Sequence, residues 1–181
     1  MAQQYPEITD RLQRFIEAQP LFFVGTAAHD GRVNVSPKGL DTLRVLSPDR
    51  VVWLNLTGSG NETAAHVLDA NRMPLMFCSF DAKPLIVRVY GTAVTRHEND
   101  AEWDRLLALF PELPGPRNIF DLAVDLVQTS CGFGVPRMNV VEDRNTLTVG
   151  LERRGADGVR AYQQSTNRLS IDGLPTGLPL M

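Results

Sequence analysis

Residues 51–80 read VVWLNLTGSGNETAAHVLDANRMPLMFCSF, in which two strand-like apolar runs flank a glycine-bearing loop and a short helix-like run. The helix-like run extends from Glu62 to about Ala70. Ser59-Gly60-Asn61-Glu62 fits a capping box, in which Glu62 reaches back to the Ser59 backbone. The same helix start could instead present its N–H groups to an anion, and both interpretations stay open. A Gly-Lys-Ser/Thr ending and a G-x-G-x-x-G motif are both absent, which argues against two common nucleotide-binding loops.

Strand patterns lie on both sides of this segment. Apolar runs predict strands at 21–28, 33–36, 43–46 and 85–96, besides those at 51–56 and 75–80. Asp30-Gly31 suits a tight hairpin, and Gly91 marks a bulge or a barrel bend. Residues 119–129 fit a strand or a helix, and we interpret them as a strand. The short turns predict an α+β, mainly β fold: a six-stranded antiparallel barrel with peripheral helices.

Helical periodicity appears mainly outside the strand region. Residues 8–16 form an amphipathic pattern, residues 100–110 form a second one, and residues 143–167 look helical with a break near Gly155. The intervening sequence PELPGPR, residues 111–117, predicts a stiff surface loop. A Gly/Pro-rich but apolar tail begins at about residue 168. We interpret residues 1–181 as a single domain.

Composition excludes several classes of function. The 181 residues are 43% hydrophobic and 22% charged, and their net charge of −3 predicts no general attraction to nucleic acid or to an anionic membrane. Cys78 and Cys131 are far apart in the sequence, and the three histidines are scattered. Because this spacing does not resemble a set of metal ligands, no metal site is expected. The first twenty residues are charged throughout, which argues against an export signal, and no apolar run is long enough to span a membrane. A cytoplasmic location is therefore expected.

Three stretches, taken in order, carry a resemblance to a known family. They are FVGTAAHDGRVNVSPKG (23–39), the stretch 51–80 quoted above, and PLIVRVYGTA (84–93). Together they resemble the pyridoxamine 5′-phosphate oxidase-like family of flavin-binding split barrels. VQTSCGFGVP (127–136) and NRLSIDGLP (167–175) are similar to a subgroup of flavin-nucleotide-binding proteins in that family. The resemblance implies a split barrel that binds FMN at a homodimer interface and acts on a small-molecule substrate.

The resemblance also implies cofactor contacts by position. They fall on a strand segment, on the next strand and on a helix start: Val35, Ser36, Pro37, Lys38, Trp53, Leu54, Asn61 and Thr63. Pro37 is expected to break its strand beside Lys38, which is the strongest candidate for a phosphate contact. Arg88, in the middle of a strand, is a further candidate, with an ion pair to a neighbouring strand as its alternative. His66 is expected at the surface or as a cap, and no catalytic residue stands out.

The sequence differs from the oxidase of this family at positions that bear on the predicted function. The oxidase has an arginine five residues before the lysine, and this position is Val33 here. The Ser-Arg-Lys sequence at the oxidase's helix start is replaced by Glu62-Thr63-Ala64. The C-terminal Arg-x-His-x-Arg signature of the oxidase is missing. We therefore predict an FMN-binding oxidoreductase of unknown substrate. The alternatives are a non-catalytic flavin-binding sensor or carrier, and a split barrel that binds F420 or haem. The tail is expected to dock in the homodimer interface because Leu174, Leu178 and Leu180 are apolar.

Overall fold

The computed structural model describes residues 2–180, which form eight strands and four helices. The strands are β1 (Gln3–Tyr5), β2 (Phe22–Thr26), β3 (Asn34–Lys38), β4 (Leu43–Ser47), β5 (Arg50–Leu56), β6 (Arg72–Cys78), β7 (Ile86–Arg96) and β8 (Pro116–Ser130). The helices are α1 (Asp10–Glu17), α2 (Glu62–Ala70), α3 (Trp103–Leu107) and α4 (Thr146–Thr166).

All strand pairs are antiparallel, and the hydrogen-bonded order is β3-β2-β6-β7-β8-β5-β4, with β1 paired to β8. The predicted antiparallel, mainly β class is confirmed, but the number of strands is eight instead of six. β1 has three residues, Gln-Gln-Tyr, which are too few and too polar to show alternation. The ambiguous run 119–129 lies in β8, a 15-residue strand that pairs with β7, β5 and β1.

The core lies on both faces of β5, because successive strand residues point to opposite sides. Val51 and Trp53 join the larger apolar cluster, whereas Val52 and Leu54 join a second cluster under α3. The Trp53 ring stacks on Phe120 with centroids 4.5 Å apart. β5 is therefore buried on both faces, and its C-terminal end leads directly into the loop 57–61.

Two predicted backbone irregularities are confirmed. The pairing of β7 with β8 shifts register between Tyr90 and Gly91, and a Cβ atom on Gly91 would lie 1.9 Å from the Ala123 carbonyl oxygen. Gly155 interrupts α4 with a φ of 68°, a conformation that favours glycine. The bulge lets the long β7 bend with the sheet.

The hairpin between β2 and β3 differs from its prediction. The connection is a seven-residue loop, residues 27–33, and not a tight two-residue turn. Pro37 does not end the strand, since β3 continues to Lys38, which pairs with Phe22. β3 is an edge strand, and an edge tolerates proline because one side of the strand needs no N–H donors.

The start of α2 also differs from its prediction. The helix begins at Glu62, but the N-cap Asn61 makes no side-chain capping bond. The Glu62 carboxylate accepts the Ile171 N–H at 2.9 Å, so the capping box does not form. His66 is buried and lies 3.0 Å from the Thr26 hydroxyl, because it is on the face of α2 that packs on the sheet.

The C-terminal tail packs on its own chain. Ser170 and Thr176 are buried, and the tail holds the β2–β3 loop through an ion pair between Asp172 and Arg32. Leu169 and Ile171 remain exposed on the outer side of this segment. No helix within residues 2–180 combines the length and apolar character that a membrane crossing requires.

Candidate functional site

A cleft of about 510 Å³ opens where the sheet is not closed, beside the edge strand β3. Its walls are β3 with the following turn, the C-terminal half of β5, the loop 57–61 and the first turn of α2. The volume falls in the range of roughly 300–1,000 Å³ that is typical of small-molecule sites. The cleft is therefore large enough for a ligand of cofactor size.

Six of the nine predicted site residues line this cleft: Ser36, Pro37, Lys38, Leu54, Asn61 and Thr63. The other three do not. Val35 points to the opposite side of β3 and is 65% exposed, as strand alternation requires. The Trp53 side chain is fully buried in the core, although its ring lies beneath Lys38, with Nζ 5.2 Å from the ring centroid.

Arg88 is away from the cleft. Its guanidinium donates to the Ser130 hydroxyl on β8 at 2.9 Å. Within residues 2–180 it forms no ion pair with a carboxylate, so the alternative that the strand pattern suggested is not observed either. A neighbouring hydroxyl, and not a charge, satisfies this mid-strand arginine.

Lys38 is the last residue of β3, and its ammonium contacts Asn55 and Trp53 on β5. The ammonium donates to the Asn55 Oδ1 atom at 3.2 Å. Burial, followed by repulsion from Arg117, lowers the pKa of Lys38 to about 8. In the described part of the chain no carboxylate lies within ion-pair distance of Lys38.

Arg117 is the cleft-lining cation that sequence reasoning missed. The predicted surface loop 111–117 is wrong at its end, because β8 begins at Pro116 and Arg117 is only 5% exposed. Burial lowers the pKa of Arg117 to about 10, against smaller opposing effects of Tyr162 and Glu62. Its Nε atom is buried and has no hydrogen-bond partner among the residues that the structure describes. The available signal was an arginine two residues before Ile119, where the run that we interpreted as a strand begins.

The two cations are held by amides. Asn55 donates to Asn118 at 2.9 Å, Asn118 donates to Asn61 at 3.4 Å, and Asn61 donates to the Asn167 carbonyl at 3.2 Å. All four asparagines are buried. Amides satisfy hydrogen bonds but carry no charge. The network therefore holds both cations, and within residues 2–180 no carboxylate forms an ion pair with either.

Two further features set the charge of the cleft. The first turn of α2 contributes backbone N–H groups without i−4 partners and the positive end of the helix dipole. Among the described residues Glu62 is the single carboxylate that lines the cleft, and it already accepts the Ile171 N–H. The arrangement is suited to binding an anion.

Comparison with known proteins identifies the family. A family model described as pyridoxamine 5′-phosphate oxidase matches residues 8–131. The chain belongs to the pyridoxamine 5′-phosphate oxidase family. A family member from Aspergillus flavus, the pyridoxamine 5′-phosphate oxidase family protein ustO, is 37% identical over 189 residues, which cover 94% of this chain and 76% of that protein.

Solved structures confirm the split-barrel fold of this pyridoxamine 5′-phosphate oxidase family member. A candidate pyridoxamine 5′-phosphate oxidase from Lactobacillus delbrueckii superposes with a TM-score of 0.56 and 25% identity, covering 68% of this chain and 94% of that one. HupZ from Group A Streptococcus gives a TM-score of 0.55 at 21% identity, covering 66% of this chain and 91% of that one. Within residues 2–180 no group of three or more His, Cys, Asp or Glu side chains is placed to hold a metal ion.

Proposed function

We propose that this family member binds FMN in the cleft, with the phosphate beside Lys38 and Arg117, and acts as a flavin-dependent oxidoreductase on a small molecule. One observation carries the proposal. Two largely buried cations line the same cleft, and neither has a carboxylate partner among residues 2–180. Buried charges are normally paired, so the missing partner points to an anionic ligand.

The donor set fits a phosphate. The unsatisfied Arg117 Nε–H needs an acceptor, and a phosphate oxygen is a strong one. Lys38 supplies a second charged donor. Thr63, at the start of α2, receives only a long 3.4 Å contact from Asn34, which leaves its hydroxyl proton for the ligand. The helix N-terminus adds backbone donors on the same side.

The apolar lining suits the ring system of a flavin. The side chains of Leu40, Leu54, Leu56 and Leu147 border the cleft, and burial of an aromatic ring against them removes apolar surface from water. When bound, FMN would supply hydride and single-electron chemistry. This chain would bind the phosphate, orient the ring and exclude water. The cleft-lining residues include no histidine, cysteine or tyrosine, and we assign no catalytic residue.

A homodimer is part of the same proposal. Val33, which directly precedes β3, is 72% exposed, and Val35 on the outer side of β3 is 65% exposed. Ile171 in the tail is 72% exposed. The ion pair between Arg32 and Asp172 brings these two segments together. Adjacent exposed aliphatic side chains mark a surface that a second copy could cover. The cleft borders this surface through β3.

The test begins with the protein as purified. An absorbance spectrum followed by mass analysis of the released ligand should show FMN. A colourless protein that takes up no added FMN would exclude the proposal. Reduction with NADPH, followed by rapid reoxidation in the presence of an acceptor, would support turnover, whereas a flavin that no donor reduces would indicate a sensor or carrier. Competition of FMN with F420 or haem in a titration identifies the preferred ligand.

A further inference from the structure

Asn167, at the junction of α4 and the tail, contacts both parts of the cleft that would hold an anion. It is fully buried. Its Oδ1 atom accepts the Arg117 Nη1–H at 2.6 Å, and its Nδ2 atom donates to the Gly58 carbonyl at 3.0 Å. Its own carbonyl accepts from Asn61, the residue that precedes α2, at 3.2 Å. A single residue therefore joins the cationic strand, the loop and the helix start.

Chemistry fixes the orientation of this amide. Arginine only donates hydrogen bonds and a carbonyl only accepts them, so the Oδ1 atom must face Arg117 and the Nδ2 atom must face Gly58. A flipped amide would place donor against donor and acceptor against acceptor inside a buried site. Such unsatisfied contacts are costly, and the observed orientation is the stable one.

The charge of the partner matters as much as its position. An aspartate at this place would pair with Arg117 and neutralise it, whereas the asparagine binds one guanidinium nitrogen and contributes no charge. The Arg117 Nε–H remains without a partner, and the full charge of the guanidinium stays available to a ligand. Position and charge together distinguish Asn167 from an ordinary helix cap.

We propose that Asn167 is the positioning residue of the anion site, because it fixes the Arg117 guanidinium and the loop at Gly58 while leaving the cation unneutralised. The inference rests on the proposed function in that it takes the ligand to carry a phosphate. Asn167 acts through Arg117 and does not itself line the cleft.

Asn167→Asp is the decisive variant: it keeps the shape of the side chain, adds one negative charge beside Arg117 and replaces the donor to the Gly58 carbonyl with an acceptor. The dissociation constant for FMN should rise about tenfold or more, as expected for loss of one charged hydrogen-bond donor. Riboflavin has no phosphate, and its dissociation constant should stay within about twofold. Equal weakening of both ligands would overturn the proposal, because it would indicate general damage to the cleft.

A double-mutant cycle tests whether Asn167 acts through Arg117. The cycle uses Asn167→Ala, which removes the contact without adding a charge. In an Arg117→Ala background it should cause little further loss of FMN affinity, since the group that Asn167 positions is gone. Additive losses would overturn the proposal. Thr176→Val is the matched control: it removes the hydroxyl that donates to the Asn167 carbonyl at 2.8 Å but leaves the Arg117 contact intact. It should preserve the ratio of FMN to riboflavin affinity.

Inorganic phosphate separates this inference from the proposed function. Phosphate should raise the melting temperature of the parent protein, because a ligand that binds only the folded state stabilises it. The increase should be lost in Asn167→Asp and in the milder Asn167→Ala. If the parent responds to phosphate but not to FMN, the proposed cofactor is wrong and the positioning role stands. If phosphate stabilises the parent and both variants equally, the positioning role is wrong.

Discussion

The Lys38 ammonium donates to the Asn55 Oδ1 atom at 3.2 Å, so a neutral amide holds this partly buried cation. Arg117 has the same kind of partner in Asn167. Asn55 and Asn167 are joined through two further asparagines, which makes one continuous amide scaffold beneath both cations. The scaffold fixes the positions of the charges without neutralising them.

Such an arrangement costs stability in the unliganded protein. Moving a charge from water into a protein interior costs several kcal/mol when no counter-ion compensates it. The lowered pKa values of Lys38 and Arg117 express this cost, since burial disfavours the charged form of each side chain. An anionic ligand would recover part of that free energy on binding, which is the physical reason to expect a tight phosphate contact here.

Replacement of Lys38 tests the phosphate contact. Lys38→Met keeps an unbranched apolar stem against Trp53 and removes the charge. Loss of one charge-assisted contact is worth roughly 1.5–3 kcal/mol, so the dissociation constant for FMN should rise about ten- to a hundredfold. Fluorescence titration of FMN and riboflavin provides the measurement, and riboflavin affinity should change little.

The control for this prediction is Lys83, the second lysine of the chain, which is exposed in the turn between β6 and β7. Lys83→Met changes net charge by the same amount and should leave both affinities unaltered. If Lys38→Met binds FMN as tightly as the parent does, the phosphate does not contact Lys38.

The affinity for FMN should depend on pH through Lys38. Its pKa of about 8 in the unliganded protein should rise on binding, because the phosphate adds a negative neighbour. Binding above that pKa requires uptake of a proton, so affinity should be constant from about pH 7 to 8 and then fall by up to about tenfold per pH unit. Arg117, with a pKa of about 10, stays charged in this range.

Titrations from about pH 7 to pH 9 in buffers of constant ionic strength check this slope. The second pKa of a phosphate monoester is about 6, so the group is mostly doubly ionised over the range used. Lys38→Met should bind more weakly and show a flat profile. A parent profile as flat as that of Lys38→Met would show that proton uptake by Lys38 is not linked to binding.

Local sequence signals predicted much of the fold. The helix from Glu62, the bulge at Gly91 and the break at Gly155 all depend on residues within a few positions of one another. The three-residue strand β1 was not predicted, because it pairs with β8, a strand more than a hundred residues away in the sequence. Strand alternation also explains why Val35, between two cleft residues, faces away from the cleft.

The site itself was only partly predictable. Family resemblance identified Lys38, which the structure places in the cleft, but the contact between Arg117 and Asn167 spans 50 residues and leaves no local pattern. Pro116 made the segment before β8 look like a loop, and burial of Arg117 depends on tertiary packing. For Trp53, the family resemblance implied a flavin contact, but the structure places its side chain in the core.

The bulge at Gly91 should be sensitive to substitution. A Cβ atom there would lie 1.9 Å from the Ala123 carbonyl oxygen, and that oxygen belongs to backbone that cannot move without breaking the β7–β8 pairing. Gly91→Ala should therefore lower the free energy of unfolding by at least about 1–3 kcal/mol. Gly134→Ala, at a position with no heavy atom within 4 Å of the added Cβ, is the control for urea denaturation. Equal stability of the two variants would contradict the prediction.

The proposed homodimer makes a prediction about mass and cofactor binding together. Light scattering at micromolar concentration should give about twice the chain mass of 20.1 kDa. Val35→Glu places a charge on the exposed side of β3, and burial of an unpaired charge in an interface costs several kcal/mol, so this variant should be monomeric. Val94→Glu, on the exposed side of β7, is the matched control and should remain dimeric.

The same variant tests where the cofactor binds. If FMN contacts both subunits, monomeric Val35→Glu should lose affinity for FMN and for riboflavin alike, because the interface supports the ring as well as the phosphate. Lys38→Met should weaken FMN alone, so the two variants report on different parts of the ligand. A monomeric Val35→Glu protein that binds FMN with parental affinity would place the whole cofactor site within one chain, and a parent protein of 20.1 kDa would exclude the dimer directly.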